Sequence, residues 1–134
     1  MRWRADVGCA LAVLACAAPS QRGAESATSR SGGEVANDTL HLARLEREAR
    51  LLAKTDGCAS ASACRTAPVG WRGCGGPRTY IVYCATTTDS VALFRKLDEL
   101  KAAETAYNEK AGLLSTCEMR LPPAVTVQAG RCSR

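Results

Sequence analysis

A disulfide-stapled α+β domain, with two helices packed on a short antiparallel sheet, is the fold that three features of this sequence predict. Two segments carry apolar residues at helical spacing. One segment between them alternates β-branched and aromatic residues. Six cysteines are distributed over the same stretch, residues 37–134. About 100 residues give one domain and no more, and a domain of that size buries a modest fraction of its surface. Its aromatic residues are few (Trp71, Tyr80, Tyr83, Phe94 and Tyr107), so aliphatic side chains and cystines must fill most of the interior.

The first helix is expected over 37–55. Asn37 or Asp38 can offer a short side-chain oxygen to the free amides of the first turn. Leu42, Leu45, Ala49 and Leu52 recur three or four residues apart, and Leu40 and Leu51 widen the stripe. Arg44, Arg47, Glu48 and Lys54 occupy the other side, and Gly57 stands where a C-terminal helix glycine belongs. His41, the one histidine of the chain, reads as a surface residue of this helix.

Residues 58–77 read as loop, being Ala, Ser, Gly and Pro with three cysteines. Trp71, the large ring there, is expected to lie over the disulfides. Cys74-Gly75-Gly76-Pro77 is a tight turn, because glycine accepts positive φ and proline fixes the exit. It lacks the Gly-x-x-x-x-Gly-Lys-Ser/Thr spacing of a phosphate loop.

A strand is expected over 78–86. Tyr80, Val82 and Cys84 point one way and Thr79, Ile81 and Tyr83 the other, so both faces are apolar and the strand reads as central. The second helix follows over 90–113, capped by Thr88 or Asp89. Its stripe is Leu93, Leu97, Leu100 and Tyr107, with Phe94 and Ala103 beside it; Asp98, Glu99, Lys101 and Lys110 form a solvated face. Residues 117–132 suggest a hairpin. Met119 and Leu121 lead into Pro122-Pro123, and Val125 and Val127 alternate before Ala129-Gly130.

The six cysteines are Cys58, Cys64, Cys74, Cys84, Cys117 and Cys132, and an even number in a small domain reads as a disulfide framework. Fifteen pairings are possible; a Cys117–Cys132 bridge closing the terminal hairpin is the favoured single one. The gaps of five, nine, nine, thirty-two and fourteen residues contain no Cys-x-x-Cys, which argues against zinc and thioredoxin-type sites. No metal or cofactor is expected.

Formal charge is +5, and the basic residues are scattered among acids rather than gathered in a stripe, which argues against nucleic acid as a partner. A hydrolase triad needs a base beside its nucleophile. His41 stands alone and no Gly-x-Ser-x-Gly turn exists, so no enzyme activity is expected.

The N-terminal residues carry an address. Arg2 and Arg4 precede an apolar run from Val7 to Ala15, which contains Cys9 and is too short to span a bilayer. Val13-Leu14-Ala15-Cys16 resembles the lipobox of bacterial lipoproteins, with Leu14 at a place where a smaller or β-branched residue is usual. The resemblance implies a signal peptide over 1–15, cleavage before Cys16 and diacylation of its sulfur. The membrane is then a partner through the N-terminal lipid, and Ala17 after the cysteine points to the outer membrane, facing the periplasm. Residues 16–36, rich in Ser, Gly and Ala, read as a flexible tether. Ala15-Cys16-Ala17 also fits the small-x-small pattern of ordinary secretion, which would release a soluble protein.

Cys58-x₅-Cys64, Cys74-Gly-Gly-Pro77, the Tyr-rich strand, the charged helix and the terminal cysteines look like a type of small exported bacterial domain of unknown function. That resemblance implies a fold and no activity. The reading that follows is a non-catalytic envelope lipoprotein whose domain binds an envelope protein or supports an assembly. Arg65, Trp71, Arg72, Arg78 and Tyr80 are its candidate surface. An alternative is a secreted serine protease inhibitor, because Cys64-Arg65-Thr66-Ala67-Pro68 resembles the reactive loop of small disulfide-rich trypsin inhibitors.

Overall fold

A computed structural model describes residues 22–134, with side chains from residue 32 onward. The segment 1–15, Cys9 and the lipidation candidate Cys16 lie outside the described residues. The class is α+β: helix α1 (Arg22–Leu52), strands β1 (Cys64–Val69) and β2 (Thr79–Cys84), helix α2 (Ser90–Ala111), and strands β3 (Thr126–Gln128) and β4 (Arg131–Ser133). The strands form two antiparallel hairpins rather than one sheet.

Helix α1 is longer than its apolar stripe. It starts at Arg22, inside the stretch read as tether, yet residues 32–37 are all exposed and bury nothing. Helix propagation past a formed turn is inexpensive, so a stretch with nothing to pack against can still be helical. The helix ends at Leu52, before the expected 55. Cys84 N–H donates to the Lys54 carbonyl at 2.7 Å and Thr88 Oγ1 bonds both the N–H and the carbonyl of Lys54. Those three bonds pull the exit of α1 onto the turn before α2, so Gly57 falls in the following bend and caps nothing.

Strand β1 corrects the reading of 58–77 as pure loop. Alanine and proline are poor strand formers, which is why local pattern missed it. It is made by its partner: Cys64 pairs with Cys84 and Val69 with Thr79, in one unbroken antiparallel register. β2 is therefore an edge in hydrogen bonding and not a central strand. Its two apolar faces are both covered all the same. Ile81 and Tyr83 join Ala67, Val69, Leu45, Ala49, Leu93, Leu97 and Leu100 in a helical core. Cys84 joins Cys58, Cys64 and Cys132 in a second, cystine core, with Val82, Val125 and Val127 packed on it.

Helix α2 is capped by Asp89, whose Oδ1 accepts from Ala92 N–H at 3.0 Å, and it stops at Gly112 in the left-handed region. α1 and α2 run antiparallel, since Lys96 pairs with Glu48 near one end and Lys110 with Asp38 near the other. Burying Leu93, Leu97 and Leu100 stabilises the pairing by about 1.5–3 kcal/mol for each side chain.

The terminal hairpin is shorter than the sequence suggests and does not contain Cys117. Thr126 pairs with Ser133 and Gln128 with Arg131, around a two-residue turn at Ala129-Gly130 with both φ values positive. Pro122 and Pro123 lack the N–H a ladder needs, which keeps the preceding chain out of it. The Cys117–Cys132 bridge is therefore not formed. The disulfides are Cys58–Cys84, Cys64–Cys132 and Cys74–Cys117, with Cα separations of 5.7, 5.6 and 5.5 Å.

Candidate functional site

The surface that groups most polar chemistry is where the β1–β2 connection meets the C-terminal half of α2. Its centre is Glu104, only 8% exposed. Its carboxylate accepts from the Trp71 backbone N–H and from Arg78 Nε and Nη2, the last two at 3.2 and 3.0 Å. Arg78 Nη2 also reaches Glu46 of α1 at 2.5 Å, and Glu46 accepts from Arg50 at 2.5 Å. One guanidinium, on the residue just before β2, thus ties the entry to that strand to both helices. Burial alone would push the Glu46 carboxyl up; the bonds from Arg50 and Arg78 outweigh it and hold the carboxyl below its ordinary range. Burial likewise works against the Arg78 charge, and its bonds to the two carboxylates more than offset that, raising its pKa.

Gly70 makes the clasp possible. It has φ 72° and lies so close to Glu104 that a Cβ there would collide with the carboxylate. Just beyond it Trp71 is held at both backbone groups, because Asn108 Nδ2 donates to its carbonyl at 2.8 Å. The ring lies beside α2 with Lys101 Nζ 4.3 Å from its centroid, and its Cζ2 edge approaches Gly75, next to Cys74.

From here residues 113–121 run as an exposed strap across the β1–β2 connection. Arg72 donates to the Thr116 and Glu118 carbonyls at 3.4 and 2.5 Å. Tyr80 Oη donates to the Arg120 carbonyl at 3.0 Å, and Ser115 Oγ accepts from Cys74 N–H at 3.1 Å. Gly73 admits the strap, since a Cβ there would strike the Leu113 carbonyl. Surface bonds of this kind contribute about 0.5–1.5 kcal/mol each, whereas fixing the backbone costs about 1–2 kcal/mol per residue. The Cys74–Cys117 bridge adds to these bonds by restricting the unfolded chain.

Two shallow grooves flank the clasp. One, of about 320 Å³, includes Leu42, Trp71, Tyr107, Leu113 and Leu114 in its wall. The other, of about 260 Å³, is lined by Asp38, His41, Leu42, Ala103, Tyr107 and Lys110 among others. His41 is exposed and its Nδ1 lies 3.0 Å from Arg44 Nη2.

Of the five surface candidates, Trp71, Arg72, Arg78 and Tyr80 come together here, and each is engaged inside the fold. Arg65 does not join them. It sits within β1 opposite Tyr83, exposed and donating to the Ser62 and Cys64 carbonyls. Sequence reasoning passed over Glu104, although its signal was present: it stands four residues after Leu100 and seven after Leu97, on the buried stripe. A carboxylate in that place needs a partner.

Among the described residues, Cys58, Cys84 and Cys132 are the one group with three potential metal-ligating atoms within 4.8 Å of one another. All three are in disulfides and have no thiolate to offer. No helix among the described residues is long and apolar enough to cross a membrane. No protein-family model, curated protein or solved structure matches the chain.

Proposed function

We propose that this protein is a non-catalytic lipoprotein of the bacterial envelope: a disulfide-stapled module anchored through Cys16, facing the periplasm from the outer membrane and binding an envelope protein. The observation that carries the reading is the covalent framework. All six cysteines of the domain are paired, and such pairing persists in oxidising compartments outside the cytoplasm. The lipobox-like Val13-Leu14-Ala15-Cys16 supports the anchor, since two or more acyl chains hold a membrane where one does so only marginally. The exposed grooves on either side of Tyr107 are the surfaces on offer to a protein partner.

The test is the intact mass of the protein purified from its own cells, read before and after reduction. A chain starting at Cys16, heavier by two or three acyl groups and gaining six hydrogens on reduction, is the expected result. An unmodified chain beginning after Ala17 or Ala18 would replace the anchored module with a secreted one. Free thiols in the native protein would remove the argument for an oxidising compartment.

A further inference from the structure

The three cystines differ in their access to solvent. The four sulfur-bearing residues of Cys58–Cys84 and Cys64–Cys132 are 4% exposed or less and line one closed cluster. Cys74 and Cys117 are both exposed. They lie in the wall of an open depression of about 220 Å³, with Arg72, Gly75, Pro77, Glu118 and Arg120 around it. Thiol–disulfide exchange needs a thiolate to approach along the S–S axis, so access decides which bridge reacts. This bridge also fastens the strap, whose remaining ties are a few surface hydrogen bonds.

We propose that Cys74–Cys117 is a thiol–disulfide exchange site for small thiols, and that opening it releases residues 113–121 while the rest of the domain stays folded. A thiolate attacks one of the two sulfurs, the S–S bond breaks, and the other sulfur leaves as a thiolate that takes a proton from water. A second thiol then displaces the first from the mixed disulfide. Two small thiols are oxidised to one disulfide, and the cystine is reduced to two thiols. Arg72 and Arg120 both line the depression and their charge favours an anionic thiolate, with Glu118 the one acidic residue in the same wall. The inference is independent of the membrane anchor and holds for a secreted chain as well.

The experiment is a timed exposure of the oxidised full chain to reduced glutathione, quenched with N-ethylmaleimide and mapped by peptide mass. Cys74 and Cys117 are expected to label about tenfold or more faster than the other four, a difference abolished in denaturant. Limited trypsin digestion reads the strap: cleavage after Arg120 should rise at least about tenfold once this bridge is open, because Tyr80 no longer holds that carbonyl. Cys74→Ser/Cys117→Ser should show the fast cleavage without any thiol, with two cystines still intact. Equal labelling of all six cysteines, or earlier labelling of the buried four, would overturn the proposal. So would a strap that trypsin cuts no faster in the double variant than in the oxidised protein.

Discussion

At one end of the β1–β2 hairpin two cystines lie side by side, with Cys58 and Cys64 sulfurs 3.8 Å apart and Val82, Val125 and Val127 packed over them. At the other end a single cystine ties an exposed strap to a glycine turn. Chain entropy treats the three bridges nearly alike: for separations of 26, 68 and 43 residues it assigns each about 3.5–4.5 kcal/mol. What separates the two ends is packing. The buried pair is a core in its own right, replacing side chains that so short a hairpin cannot supply. The strap cystine holds a segment that buries little.

The widest separation between the two ends should come from removing bridges. Cys64→Ser/Cys132→Ser is expected to lose more than the roughly 4 kcal/mol of loop entropy, because it also leaves hydroxyls in a cluster with few partners for them. Cys74→Ser/Cys117→Ser should lose that amount or less. Denaturant unfolding compares them, and equal losses would mean that packing does not separate the two ends. Glu104→Gln comes next, at about 2 kcal/mol, since it weakens the Arg78 and Trp71 bonds of a largely buried group. Its loss should be read at the helical core, leaving the reduction rates of the buried cystines unchanged.

Gly73→Ala acts on the strap alone. Its Cβ displaces the Leu113 carbonyl, so cleavage after Arg120 should accelerate with a stability loss of about 1 kcal/mol. The smallest effect is that of acid. The Glu46 carboxyl is lowered in the folded state, so its contribution is full above its unfolded value near 4.5 and declines as pH falls through the folded value. Thermal unfolding at pH 3 and pH 6 should show a pH difference in wild type that Glu46→Gln reduces, by less than about 1 kcal/mol for a half-buried group that solvent still screens.

The elements that local pattern revealed are those that local pattern makes. Leu93, Leu97 and Leu100 at helical spacing, with Asp89 before them, mark α2 and its cap whatever packs on it. The alternation of Tyr80 to Cys84 marks β2, and its two apolar faces are explained by the two cores it divides. β1 escaped because Cys64-Arg65-Thr66-Ala67-Pro68-Val69 has little strand preference of its own. Its extended form comes from the ladder with β2, a contact across the glycine turn. The candidate site was half legible. Trp71, Arg72, Arg78 and Tyr80 do converge, but Glu104 and Glu46, which organise them, lie on the helices far along the chain.

The sequence by itself determined the class, the two helices, one strand, the glycine turn and the use of six cysteines as staples, because each rests on short-range periodicity, composition or parity. Only the tertiary structure decided which cysteines pair. Cystine pairing depends on which Cα atoms come within about 6 Å with suitably directed Cβ atoms. Here that follows from the β1–β2 register, which seats Cys64 beside Cys84, and from the docking of the last hairpin on residues 55–58, where Cys132 N–H meets the Thr55 carbonyl at 2.9 Å. Such proximities are set by packing between segments tens of residues apart, and no local window contains them.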